Sequence, residues 1–225
     1  MRINLYLANV LGISRRAADK EIELGNVRLN TKKAVLGDQV KEGDAVTFKG
    51  KPVVVTRTAT TTIMLNKPVG YITSRKRDDT GAPTVMELLP KELQHLKPIG
   101  RLDKESDGLL LLTDDGDLLY KSTHPKFKSE KEYLVEFETP LSNAEMAMWT
   151  RGMKLPDGLA KADHIARLPG KKFIIVLHQG KNRQIRRMAG KTGNKVISLT
   201  RTRVGAVLLG TLKTGLWQKV ENKKA

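Results

Sequence analysis

The residues best suited to chemistry lie in one short stretch, GRLDKESDGLLLLTDDGDL, residues 100–118. It places six acids, Asp103, Glu105, Asp107, Asp114, Asp115 and Asp117, around four consecutive leucines. The chain that contains it has 225 residues and a formal net charge of +17. Three chemistries fit such a segment. In the first, Asp103-x-Glu105-x-Asp107-Gly108, closed by Asp114, mimics the spacing of a calcium-binding EF-hand loop. However, Asp114 stands where a bidentate Glu belongs. Leu109 to Leu112 read as a buried strand, and no amphipathic helix precedes residue 100. In the second, the segment is structural: Asp114, Asp115 and Asp117 serve a turn and a helix N-terminus. That leaves the charged pair in Gly100-Arg101-Leu102-Asp103 unexplained. In the third, Asp103 is catalytic. A carboxylate held near arginines stays ionised and oriented, and in a basic cleft it can attack, or take a proton from, the sugar or base of a nucleotide.

Composition favours a polyanionic substrate. The pI is near 10.0, which points to nucleic acid ahead of an anionic membrane surface. From His164 to Lys219 there are thirteen Lys/Arg and no acid, the pattern of a phosphate-binding surface. There is no cysteine, which excludes disulfides, zinc–thiolate sites and a cysteine nucleophile. The histidines, His95, His124, His164 and His178, show no metal-ligand spacing. The N-terminal MRINLYLANVLG lacks the apolar core of a signal peptide, and no apolar run approaches the ~20 residues that span a bilayer. These features predict a soluble cytoplasmic protein with no metal and no membrane association.

The elements that must position these residues fall into two predicted domains. Residues 1–56 read as a small unit. Ile3 to Leu11 form a short apolar helix, and Ser14 caps a second helix that ends at Gly25. Strands follow over Val27–Asn30, Val35–Val40, Ala45–Lys49 and Val53–Val55. Threonine-rich residues 57–62 read as a linker. Residues 63–225 form the larger domain. Its predicted strands are Ile63–Leu65, Gly70–Ser74, Leu109–Thr113, Lys131–Glu138, Ile165–Arg167, Lys172–His178, Lys195–Thr202 and Val204–Leu208. The predicted helices are Thr84–Leu88, Asp115–Lys121, Asn143–Arg151 and Arg183–Thr192, with Ser142 and Glu145 as a capping box for the third. Strands and helices alternate without a βαβ beat, so the fold class is α+β.

The 100–118 stretch resembles the signature of the bacterial ribosomal RNA pseudouridine synthases. LNKPVGYITS (65–74), HP (124–125) with KEYLV (131–135), QGKNRQIRRM (179–188) and LTRTRVGAVLLGTLKTGLWQKV (199–220) resemble further family motifs in the family's order. Residues 1–56, with SRRAADKEIELGNVRLN, resemble the S-four RNA-binding domain of the same branch. The resemblance implies a catalytic domain built on a mixed, largely antiparallel sheet with flanking helices. It also implies isomerisation of a uridine in ribosomal RNA without cofactor, metal or energy source.

On that resemblance Asp103 is the essential carboxylate, Tyr133 stacks on the uracil and moves a proton, and Arg186 pairs with Asp103. Arg183 is the alternative partner. Arg101 enters the RNA stack or holds the flipped nucleotide. Lys67 and Pro68 shape the cleft wall, and Glu105 has no assigned role. If residues 183–192 are helical, Arg183 and Arg187 share a face at i, i+4 and Arg186 sits roughly a turn from Arg183; the three cannot all point at one carboxylate, so at least one contacts phosphate instead. Lys181 joins them as an RNA contact. In the small domain Arg15, Arg16, Lys20, Arg28 and Lys32 are candidate phosphate contacts that dock the RNA. The implied partner is ribosomal RNA or an assembly intermediate, bound by a monomer. A non-catalytic ribosome-associated RNA-binding protein is the competing reading, and DNA binding ranks last for want of a helix-turn-helix pattern. QGKNRQIRRM leans toward the large-subunit group.

Overall fold

The structure, a computed structural model, describes residues 1–54 and 60–220. The chain divides into two compact units, Met1–Ala59 and Thr60–Ala225. In the first, helices α1 (Ile3–Leu11) and α2 (Arg15–Glu23) precede strands β1 (Val27–Leu29), β2 (Lys32–Lys33), β3 (Val46–Phe48) and β4 (Lys51–Pro52). The strands form an antiparallel sheet in the order β2-β1-β3-β4. Ser14 starts α2 by accepting a hydrogen bond from the Ala17 amide at 3.1 Å, as its type and place predict. Ile3, Leu7, Ala18, Ile22, Val27 and Val46 close a small core. The strand expected over Val35–Val40 does not form. Asp38 accepts from the Val35 amide at 2.9 Å, folding that segment into a side-chain-closed turn instead. Val55, the end of the last expected strand, lies outside the described residues.

The second unit contains β5 (Thr62–Lys67), β6 (Lys97–Ile99), β7 (Asp107–Thr113), α3 (Gly116–Thr123), β8 (Lys131–Phe137), α4 (Asn143–Arg151), β9 (Met153–Leu155), β10 (Gly158–Ala160), β11 (His164–Arg167), β12 (Lys172–Leu177), α5 (Gln184–Lys191), β13 (Val196–Val204), β14 (Val207–Leu208) and β15 (Trp217–Lys219). Nine of these strands make one sheet along the path β11-β12-β8-β13-β7-β5-β15, with β14 on β13 and β6 on β7. Among the described residues its one parallel pair is β13 with β7; the other pairs are antiparallel. The fold is thus α+β on a mixed, largely antiparallel sheet.

The run of leucines follows from this order. Strand β7 is central and both of its faces are covered. Leu110 and Leu112 pack with Ile63, Leu65, Val85 and Met86, whereas Leu109 and Leu111 pack with Met64, Ile99 and Val204 on the other side. A third core holds Phe137, Trp149 and Phe173 under the β8–β12 half. Helix α4 starts with the expected capping box: the Glu145 amide donates to Ser142 Oγ at 3.2 Å, and Ser142 N donates to Glu145 Oε2 at 2.7 Å.

Three expectations need correcting. Gly70–Ser74 is not a strand; it makes a single bridge at Ile72, and the Thr73 hydroxyl is spent on the backbone of Leu102. The expected linker 57–62 is shorter at its end. Thr62 already belongs to β5, paired to Thr113, and the Thr61 amide donates to Asp114 at 2.7 Å. Residues 57–59 of that linker, and 221–225 at the end of the expected catalytic domain, lie outside the described residues. Helix α5 begins at Gln184 rather than Arg183, because Arg183 is left-handed with φ 47° and ψ 37°. Among the described residues no helix is long and apolar enough to cross a membrane.

Candidate active site

Asp103 sits on the turn that joins β6 to β7, and this turn is held by its backbone. Each carbonyl oxygen from residue 101 to residue 106 accepts a hydrogen bond. Arg201 Nη1 reaches Arg101 O at 3.4 Å, Thr73 Oγ1 reaches Leu102 O at 2.8 Å, and the Ser106 amide closes on Asp103 O at 3.1 Å. The Gly70 amide reaches Lys104 O at 2.8 Å, Arg186 Nη2 reaches Glu105 O at 2.8 Å, and Lys67 Nζ reaches Ser106 O at 2.6 Å. Three of the six donors are cationic side chains, and bonds from charged donors are the strong ones. The Asp103 carboxylate itself makes no ion pair among the described residues. It is half-buried and faces a cleft of about 260 Å³.

The cleft is lined by Asp103, Arg101, Lys131, Tyr133, Lys181, Arg183 and Arg201, together with Gln179, Gly180 and Asn182. Register explains the grouping. Tyr133 on β8 lies between Ile175 and Arg201 of the neighbouring strands, and Arg201 in turn lies against Gly108 of β7. The strand alternation puts Lys131 on the face of Tyr133. The β13–β7 approach is very tight. A Cβ on Gly108 would lie 2.7 Å from the Arg201 amide nitrogen and nearer still to its carbonyl oxygen, and Gly108 has φ +98°. Glycine is the residue that allows this contact.

Electrostatics is dominated by buried cations. Lys67 is fully buried, and burial pushes its ammonium down to about 8 despite the attraction of Asp107 and Asp103. Burial, and then the nearby Arg201, lower Lys131. Burial, and then Arg183, lower Arg186. Arg201 is 3% exposed. Its Nε donates to Leu109 O at 2.7 Å, whereas Nη2 is buried without a partner.

The arginines divide differently from expectation. Arg186 does not pair with Asp103; it grips the turn at Glu105 O and Ser106 Oγ and reaches Val196 O at 3.3 Å. Arg183 does not pair with Asp103 either. It binds Glu105 at 2.6 Å, and this hydrogen bond holds the Glu105 carboxyl below its usual range. Glu105, unassigned from sequence, therefore fixes Arg183 at the cleft. Arg187 makes a two-point contact with Asp157 at 3.0 and 2.9 Å, so its guanidinium is occupied, and it does not line the cleft. Lys181 also bonds Asp157 but does line the cleft. Sequence reasoning missed Arg201 and Thr73. An arginine inside the apolar alternation of β13 was the available signal.

In the small unit Arg15, Arg16, Lys20, Arg28 and Lys32 are all exposed. Arg28 donates to Thr31 O at 2.8 Å. Among the described residues none of the five takes part in a salt bridge.

A single carboxylate on a hydrogen-bonded turn shares a cationic cleft with a tyrosine, an arrangement suited to an anionic substrate. Comparison with known proteins makes this specific. The RNA pseudouridylate synthase profile matches residues 61–191, and the S4 domain profile matches residues 1–46. An uncharacterized RNA pseudouridine synthase of Aquifex aeolicus is 37% identical over 98% of this chain and 90% of its own length. The dual-specificity RNA pseudouridine synthase RluF of Escherichia coli is 37% identical over 97% of this chain and 74% of its own. A ribosomal large subunit pseudouridine synthase B of Xylella fastidiosa is 38% identical over 92% of this chain and 46% of its own. A crystal structure of a pseudouridylate synthase superposes with TM-score 0.69 and 28% identity over 98% of this chain and 96% of that one. The chain belongs to the RNA pseudouridylate synthase family and carries an N-terminal S4 domain.

Proposed function

We propose that this protein isomerises a uridine of ribosomal RNA to pseudouridine in the cytoplasm, acting as a monomer on RNA or an assembly intermediate, with large-subunit RNA as the favoured substrate. The observation that carries the reading is the fixed turn: six consecutive carbonyls are bound, and the one acid they present to the cleft is Asp103. A protein that merely bound RNA would gain nothing from this rigidity. The names of the Escherichia coli and Xylella relatives support the substrate class.

The reaction breaks the N1–C1′ bond of uridine and forms a C5–C1′ bond. The C5 proton leaves and N1 gains one, so atoms and electrons balance without a co-substrate. Asp103 engages the nucleoside at the glycosidic bond. Tyr133 stacks on the uracil and moves a proton, and Arg186 acts through the backbone of the turn rather than on the carboxylate. Arg101, Lys181 and Arg183 hold phosphate or the flipped nucleotide at the cleft. The target base leaves its stack, at a cost of a few kcal/mol. Arg15, Arg16, Lys20 and Arg28 dock the RNA on the S4 unit.

The test maps pseudouridine by carbodiimide modification and primer extension in small- and large-subunit RNA, with wild type and Asp103→Asn, in the presence of a chelator. A stop at one uridine that requires Asp103 establishes the activity and its substrate. Equal stops with both proteins would remove Asp103 from the mechanism.

A further inference from the structure

Beside the cleft lies an aromatic cluster that the chemistry does not use. Tyr120 and His124 sit one helical turn apart at the end of α3, with ring centroids 4.9 Å apart. Phe127, on the following turn, meets Tyr120 edge-on at 5.7 Å and His124 at 6.3 Å. The Lys126 ammonium lies over both rings, 5.5 Å from Tyr120 and 4.7 Å from Phe127. These rings are not core. Tyr120 is 48% and Phe127 42% exposed, and α3 packs through Leu118 and Leu119 instead. Between Leu118 and Ser129 there is no acid, and Lys121, Lys126 and Lys128 are all exposed. The cluster is continuous with the cleft, because Ser122 and Thr123 of the same helix turn line it.

The geometry points to a stacking platform: Tyr120, His124, Phe127 and Lys126 hold an unpaired nucleobase of the substrate strand, next to the nucleotide that enters the cleft. The inference rests on the reading of this cleft as a uridine site in RNA. The reasons are chemical. Every base has a π-face, and a solvent-exposed ring backed by a cation accepts one without regard to sequence. The lysines answer the adjoining phosphates. A protein partner would meet the same rings through apolar side chains and would leave the three lysines without counter-charges. An RNA strand satisfies both. A base that leaves its stack also exposes the face of its neighbour, and a ring at the mouth of the cleft can cover that face.

The platform is tested with full-length protein and a short oligouridylate carrying one 2-aminopurine, whose fluorescence is quenched by stacking. Wild type quenches it. Tyr120→Ala and Phe127→Ala lose the quenching and weaken binding by roughly 5- to 150-fold, the range expected for one stacked base. Tyr120→Trp, which keeps a ring, retains both. Unchanged quenching and affinity in both alanine variants would overturn the platform, and so would an equal loss in Tyr120→Trp. Normal RNA binding by the alanine variants, with reduced association to ribosomal particles, would assign the patch to a protein partner and also overturn it. The two readings fail separately. Tyr120-dependent quenching, with no Asp103-dependent pseudouridine in ribosomal RNA or assembly particles, leaves the platform and removes the reading of the cleft as a uridine site. Pseudouridine formation with Tyr120-independent quenching does the reverse.

Discussion

Lys67 Nζ donates to the Ser106 carbonyl at 2.6 Å, from a side chain with no exposed surface. This one bond links the end of β5 to the turn that carries Asp103. It makes Lys67 a positioning residue, with a readout independent of activity. The folded-state value of Lys67 is about 8, below its usual 10.5. Between these values the unfolded chain holds the proton and the folded chain does not, so stability due to this group rises with pH. Wild type should therefore gain up to about 3 kcal/mol relative to Lys67→Met between pH 8 and pH 10.5. Urea unfolding of both proteins across that window measures it. A difference that stays flat with pH would place the Lys67 ammonium outside the core. At neutral pH, Lys67→Met should lower kcat by about 10- to 100-fold through a looser turn.

The two roles proposed for Tyr133 are separable. Tyr133→Phe keeps the ring between Ile175 and Arg201 and removes the hydroxyl. We expect kcat to fall by about 10²- to 10⁴-fold, the usual worth of a positioned acid or base, while RNA affinity holds. Single-turnover kinetics with saturating enzyme separate the two. A Phe variant as fast as wild type would leave stacking as the sole role.

Gly108→Ala should be among the most damaging small changes in the chain. The new Cβ would press on the Arg201 backbone, 2.7 Å from its nitrogen, at a φ of +98°. Left-handed strain and overpacking together cost about 2–5 kcal/mol. The midpoint of denaturant unfolding should drop accordingly. Gly100→Ala has open space around it and should carry the backbone cost alone.

The S4 unit should act through phosphate. Replacing Arg15, Arg16 and Lys20 together by alanine should weaken RNA binding uniformly across sequences. The slope of log K against log salt should fall by about 0.7–0.9 for each phosphate that is no longer neutralised. A changed choice of uridine with an unchanged slope would make these residues base readers.

The sequence made some of this legible and concealed the rest for physical reasons. Ser14, the Ser142–Glu145 box and the leucine run are local signals, and all three elements formed where those residues require. The grouping of Asp103, Tyr133 and Arg183 around one cleft came from motif resemblance, because sheet order is not local information. The arginine geometry was not legible. Helical spacing placed Arg183 and Arg187 on one face, but Arg183 is left-handed, so it reaches Glu105 while Arg187 binds Asp157. The hairpin of β9 and β10 has strands of three residues, too short for alternation to show. Thr73 looked like part of a strand because its hydrogen-bonding partner, Leu102, lies 29 residues away.

The parallel seam between β7 and β13 has a consequence for timing. Asp103 and Tyr133 come from the first half of this unit, whereas Arg186 and Arg201 come from the second, and the seam joins the two halves through Arg201 and Gly108. During synthesis the S4 unit, the proposed RNA-docking part, is made before α5 and the strand bearing Arg201. The turn that presents Asp103 then lacks two of its three cationic anchors. On the proposed function, a nascent chain would attach to RNA before it could modify it, and the chemistry would wait for the pairing of one late strand.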